Sequence, residues 1–316
     1  MDSMDDEIVS IVEREVGETP FSVVRVDEGL LHETYDVSCE TGRYVLQFDS
    51  DGERDDSLRR GYNCYIALRG SDIPIPEVVT ETVTSDDGRG YTIVEKLQGT
   101  TGEKDISPER TRNAGRVLAR IHEFERFDEA GWLRFEGREP TVESFEAEGL
   151  QEWVLDNVAE SSTCLRNGGL ETAGVDVEDA FDRFGETLPE AFRPVFCHND
   201  YSPDNVLFED DAVTGVIDFD RATANNAQRA LAKAANCFWM HDPNADWNVR
   251  ETFYDGYRER RNVDDSFERN EPLYRVETLA NIVAALLDMD GLSEYETEFY
   301  AEQIREEVER AEQAKR

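Results

Sequence analysis

The sequence predicts an α+β protein: a small antiparallel sheet with one helix comes first, and a larger, mainly helical part follows. Three observations carry this. Residues 20–48 hold three short β-rich runs separated by Gly and charged turns. After Gly99 the apolar period changes from 2 to 3.6. The helical pattern is then interrupted by CHNDYSPDNVLFEDDAVTGVIDFD at 197–220, which reads as loop, strand, turn, strand.

The β-rich runs are Ser22 to Val26, Thr34 to Ser38 and Arg43 to Phe48, an antiparallel meander. Residues 57–68 read as a helix, with Leu58, Tyr62, Tyr65 and Ile66 on one face and the breaker SDIPIPEVV behind it. Runs at 77–83 and 91–95 flank the turn SDDGRG as a second hairpin. In SPERTRNAGRVLARIHEF, Ser107 caps, Pro108 takes the first helical position, and Ala114, Val117, Leu118 and Ile121 make one apolar stripe. Further helices are expected near 142–159, 176–188, 225–239, 248–260, 274–288 and 293–312, with the first six residues and the last few mobile. Pro194 to Cys197 reads as a short strand, and Val206 to Phe208 with Val213 to Phe219 as a hairpin across EDDA.

Charge excludes some partners. The chain has 316 residues and carries 72 acidic against 33 basic ones, a net charge of −39. Only four residues are Lys: Lys96, Lys104, Lys233 and Lys315. Nucleic acid and anionic membranes would be repelled, so neither is expected as a partner. The acid is spread over every segment, which points to a halophilic, salt-adapted surface rather than to a trap for a cationic substrate. No run approaches the roughly 20 apolar residues of a membrane span, and the acidic start lacks the pattern of a signal peptide, so a cytoplasmic location is expected. The five cysteines are odd in number and contain no CxxC pair, against a disulfide framework or zinc site.

His198, Asp200 and Asn205 stand at the spacing H-x-D-x-x-x-x-N, and Asp218 follows in IDFD. Phosphoryl transfer needs a base to orient a hydroxyl and a metal to neutralise the phosphates, and Mg²⁺ takes oxygen ligands including one or two carboxylates. The stretch resembles the catalytic core of the aminoglycoside phosphotransferase and choline kinase family, small-molecule kinases of the protein-kinase-like fold. GLLHETYDV resembles its nucleotide-loop strand pair, YTIVEKLQGT its hinge, and LARIHEF the helix opening its C-terminal lobe. The resemblance implies a two-lobe fold: a nucleotide-binding lobe at 1–95, a hinge at 96–99, and a helical lobe at 100–316 with the catalytic-loop hairpin and the substrate pocket.

It also implies ATP, with GTP as the alternative, together with Mg²⁺, and a small-molecule hydroxyl as acceptor. Asp200 would be the catalytic base, with His198 shaping its loop rather than carrying a proton, and Asn205 and Asp218 would be the metal ligands. Gly29, His32, Gln47, Glu95 and Leu97 would be the nucleotide contacts. His32 on its own reads as a surface or turn residue, His122 as a core histidine and Asp220 as polar packing, with contact to substrate or metal as its alternative.

One departure stands out. Kinases of this fold place a Lys or Arg on the third strand and pair it with a helix Glu. Here Gln47 takes the cation's place and Gly61 the acid's. Arg25, Arg43, Arg59 and Arg60 are candidates to compensate. The double loss also sustains a second reading, a nucleotide-binding pseudokinase or scaffold module.

Overall fold

In the computed structural model the described residues are 3–26, 32–49, 56–80, 83–86, 89–147, 149–263, 265–289 and 291–315. The helices are α1 Ser3–Glu15, α2 Ser57–Leu68, α3 Pro108–Phe124, α4 Leu150–Asn167, α5 Glu171–Phe184, α6 Ala227–His241, α7 Val249–Arg258, α8 Ser266–Met289 and α9 Glu294–Ala314. The strands are β1 Ser22–Val26, β2 Glu33–Ser38, β3 Arg43–Phe48, β4 Thr84–Asp86, β5 Arg89–Glu95, β6 Thr100–Thr101, β7 Gly131–Glu136, β8 Glu139–Ser144, β9 Val195–Cys197, β10 Val206–Glu209, β11 Ala212–Val216 and β12 Thr223–Asn225. The predicted α+β class is the observed one, with an additional helix, α1, ahead of the sheet. The chain divides into two compact units: 1–105 with 133–141 and 203–222, and the remainder.

The first unit is built on an antiparallel sheet ordered β1-β2-β3-β5-β4. Alternation on β3 sends Tyr44, Leu46 and Phe48 to one face, where they join Tyr35 and Val37 of β2, Tyr91 and Ile93 of β5, and Ile8, Ile11 and Val12 of α1. Helix α1 was not expected. Ser3 to Asp6 lie in a helix rather than a mobile end, and the spacing of Ile8, Ile11 and Val12 is the helical signal that betrays it. Gln47 points to the other face, opposite Thr34 on β2 and Thr92 on β5. The unit's second sheet, β11-β10-β6, is the hairpin within residues 197–220 plus a two-residue edge strand.

The second unit is mainly helical. Helices α3 and α7 approach closely because Gly115 and Gly256 face them. A Cβ at Gly115 would stand 2.2 Å from the Phe253 carbonyl oxygen, and one at Gly256 1.9 Å from that of Arg112. Ser107 caps α3 by accepting the Arg110 N–H, with Pro108 in the first turn as the sequence predicts. His122 is fully buried on this helix, its Nδ1 2.9 Å from the Tyr257 hydroxyl. Strand β9 pairs with β12 (Thr223 opposite Cys197, Asn225 opposite Val195), and β12 pairs with the start of β7.

Several boundaries move. The helix expected from 142 begins at Leu150, because 139–144 form strand β8. The next begins at Glu171 rather than 176, and α8 starts at Ser266, eight residues before the predicted 274, carrying Pro272 inside it. Of the run expected at 77–83, the described residues 77–80 supply an isolated bridge, Val78 to Val94, and β4 follows at Thr84–Asp86.

Candidate active site

In the second unit, His198 and Asp200 lie on the loop leaving β9. His198 is fully buried, edge-on to Tyr201 with ring centroids 5.7 Å apart. Its Nδ1 accepts the backbone N–H of Asp200 at 3.3 Å, which leaves the imidazole proton on Nε2. Between them Asn199 adopts φ +64°, a left-handed conformation that Asn tolerates better than most residues. Its carbonyl accepts from Lys233 Nζ of α6 at 2.7 Å. Burial pulls the Lys233 pKa down against the opposing charge of Asp200. Tyr201 donates its hydroxyl to the Ala114 carbonyl of α3 at 3.0 Å. The loop is thus held at both shoulders. Lys233 was counted in the sequence but given no role, since a lone helical Lys carries no motif.

Asn205 and Asp218 lie in the first unit. Val206 sits opposite Val216, and the Asn205 carbonyl accepts the Ile217 N–H at 3.0 Å, so the ladder delivers both residues to the same open end of the β10–β11 hairpin. Asp218 is exposed, with φ +62°. Its N–H donates to the Tyr65 hydroxyl of α2 at 2.9 Å, and Tyr65 packs edge-on against Phe219 at 5.8 Å.

Helix α2 grips this segment further along. Arg60 donates to the Asp220 carbonyl. Asp220 lies against Gly61, where a Cβ would stand 1.9 Å from its Oδ1 and 3.2 Å from its backbone nitrogen. Its other oxygen, Oδ2, lies 2.8 Å from His32 Nε2. His32 is therefore not the surface or turn residue expected. It is 8% exposed, with Ser57 Oγ at 3.4 Å from Nε2 and no hydrogen-bond partner at Nδ1. Burial alone would lower its pKa, but the hydrogen bond and charge of Asp220, with the charges of Asp49 and Asp218, outweigh burial and raise it. Sequence reasoning had no signal for this pair, because 188 residues separate its members.

Gln47 donates to Thr34 Oγ1 at 3.4 Å on the neighbouring strand. Glu95 is exposed at the end of β5, and Leu97 reaches the hairpin, its Cδ1 2.5 Å from where a Gly215 Cβ would be. Gly29 lies outside the described residues. Of the compensating arginines, Arg25 pairs with Glu33, Arg43 with Asp36 and Arg59 with Asp56.

A cavity of about 430 Å³ lies in the second unit, lined by Phe145 and Trp153, which stack at 5.2 Å, and by Asp128, Glu190, Pro194 and Asn225. It sits at the Pro194 end of β9, opposite to the end from which His198 leaves.

Residues 22–266 match the APH phosphotransferase enzyme family. The chain belongs to that family. A homoserine kinase of Phenylobacterium zucineum is 25% identical over 253 residues, covering 78% of this chain and 73% of that one. A homoserine kinase of Sinorhizobium medicae is 24% identical over 274 residues, 83% and 77% of the two chains. Among solved structures, the aminoglycoside phosphotransferase APH(4)-Ia covers 99% of both chains with a TM-score of 0.67 and 16% identity. A putative fructosamine-3-kinase of Thermobifida fusca covers 97% of this chain and 99% of its own, with a TM-score of 0.64 and 19% identity. A further APH(4)-Ia structure holds ADP and hygromycin B. The protein is a small-molecule phosphotransferase with the fold of these neighbours. Among the described residues no helix is long and apolar enough to cross a membrane.

Proposed function

We propose that the protein transfers the γ-phosphoryl group of ATP, with Mg²⁺, to a hydroxyl group of a small molecule. The observation that carries this is the H-x-D-x-x-x-x-N spacing together with the hairpin ladder that returns Asp218 beside Asn205. An amide oxygen and one exposed carboxylate at one hairpin end suit a hard cation that prefers oxygen and takes few carboxylates. Asn205 and Asp218 would hold the metal, which when bound neutralises charge on the phosphates.

Asp200 accepts the proton of the attacking hydroxyl and orients its oxygen toward phosphorus. His198 keeps that carboxylate in place, with its Nδ1 committed to the backbone of Asp200 and its ring buried. Glu95 ends β5 and Leu97 comes two residues later; both are assigned to the nucleotide base, within a nucleotide-binding part at 1–95 and its connection at 96–99. The pseudokinase alternative has no observation in its favour.

The relatives' names support one acceptor class to try first. Homoserine kinases act on a primary alcohol borne by an amino acid, which makes hydroxy amino acids the first acceptors to try. The test is a phosphorylation screen of hydroxylated amino acids, amino sugars and amino alcohols in molar KCl, which screens the net charge of −39. Asp200→Asn is the control: it should retain nucleotide binding and lose transfer by several orders of magnitude. An unchanged rate in that variant refutes the assignment.

A further inference from the structure

The phosphates of a nucleotide need a fixed positive charge, and the third strand offers Gln47, bonded to Thr34. Three facts converge on another source. His32 immediately precedes β2, on the stretch that opens the nucleotide-loop strand pair. Its Nε2 is tied to a carboxylate, which only accepts, so that nitrogen carries a proton. Its Nδ1 is buried and has no hydrogen-bond partner among the described residues, although nearly all buried polar groups have one.

We propose that His32, held by Asp220, supplies the positive charge that binds the nucleotide's phosphates, in place of the strand cation and helix acid that Gln47 and Gly61 replace. The inference rests on the kinase reading above and names a residue for it. A carboxylate behind an imidazole favours the imidazolium, and the imidazolium presents Nδ1–H as a second donor. The Asp220 carboxylate, 2.8 Å from Nε2, acts in that direction. A phosphate oxygen satisfies the orphaned donor with a charged hydrogen bond, as a Lys ammonium would.

The geometry also explains why the pair is built this way. Asp220 does for His32 what a helix Glu does for a strand Lys, and it occupies the space that a side chain at Gly61 would need. Arg60 and Tyr65, from the same helix, fix the backbone on either side of the acid through the Asp220 carbonyl and the Asp218 N–H. The imidazole is therefore oriented by a carboxylate that cannot easily turn.

The test compares His32→Gln with wild type for affinity toward MgATP, MgADP and adenosine, by calorimetry in molar KCl. Gln keeps a donor for Asp220 but carries no charge. Affinity for MgATP and MgADP should fall roughly 10- to 100-fold, as for loss of a charged hydrogen bond, while adenosine binding stays within twofold. Equal affinities for MgADP in the two proteins overturn the proposal and leave the kinase reading standing. A parallel loss for adenosine also overturns it, because it marks general damage to the unit. Wild type that binds no nucleotide overturns both. Should the variant not fold, the readout moves to wild type with ¹⁵N-labelled histidine. The Nδ1 resonance of His32 must respond to MgADP and not to adenosine, and no response overturns the proposal.

Discussion

Gly61→Ala tests the close approach of α2 to Asp220. Inside a helix this change ordinarily stabilises by about 1 kcal/mol, because Ala loses less backbone entropy than Gly. Here the new methyl carbon would stand 1.9 Å from Asp220 Oδ1 and 3.1 Å from its Cγ. The carboxylate would have to turn away, but its other oxygen is bound to His32 at 2.8 Å and its carbonyl is held by Arg60. Separating a buried pair whose members both remain costs about 3 kcal/mol. Against the helix gain of about 1 kcal/mol, the net expectation is a loss of about 2 kcal/mol. Urea unfolding at fixed molar KCl, with an exposed-helix substitution as control, measures it. A Gly61→Ala protein as stable as wild type, or more stable, would refute the packing argument, since the predicted sign is the reverse of the usual one.

Two further predictions follow from buried charges. His32 has its folded pKa raised above the ordinary 6.5, so the stability it contributes is fully present below about pH 6.5 and fades as pH rises through the folded value. The difference in unfolding free energy between wild type and His32→Gln should therefore shrink from about pH 6 to 8.5. A difference that grows over that interval contradicts the raised pKa. His122, whose pKa burial drives well below 6.5, acts oppositely, losing stability as pH falls, and its share is common to both proteins. In the second unit Arg229 makes two hydrogen bonds to Glu277, at 2.9 and 2.6 Å, with both side chains buried. Glu277→Ala should cost about 3–5 kcal/mol, whereas the pair Arg229→Met with Glu277→Leu should cost less than either partner's loss alone, read by the same unfolding assay.

The fold class and the loop carrying His198, Asp200 and Asn205 were legible because both are written in short-range pattern. Strand alternation, helix caps and a fixed spacing all lie within a few residues of one another. Helix α1 was equally legible through Ile8, Ile11 and Val12, but its acidic flanks hid it behind the charge of the first residues. Strands β7 and β8 were not, since GWLRFEGREPTVES mixes charge with apolar residues and alternates weakly. What no local pattern could give was the environment of His32. Its partner lies 188 positions away, and the loop that holds His32 reads as polar and exposed.

The two apparent losses in the sequence, the strand cation and the helix acid, are connected by space. Position 61 cannot carry a Glu while Asp220 fills the volume in front of it, because a Cβ alone would already overlap that carboxylate. An acid on the helix and an acid after Phe219 are thus alternatives rather than additions. With the acid on the segment after the hairpin, the cation it can reach is the one at the start of β2, 2.8 Å away, and Gln47 is left to bond Thr34 across the sheet. Examined one position at a time, Gln47 and Gly61 look like decay. Taken with Asp220 and His32, they describe one buried hydrogen-bonded pair built from different segments. The substitution that would restore the family's acid, Gly61→Glu, is therefore the one this unit can least accommodate.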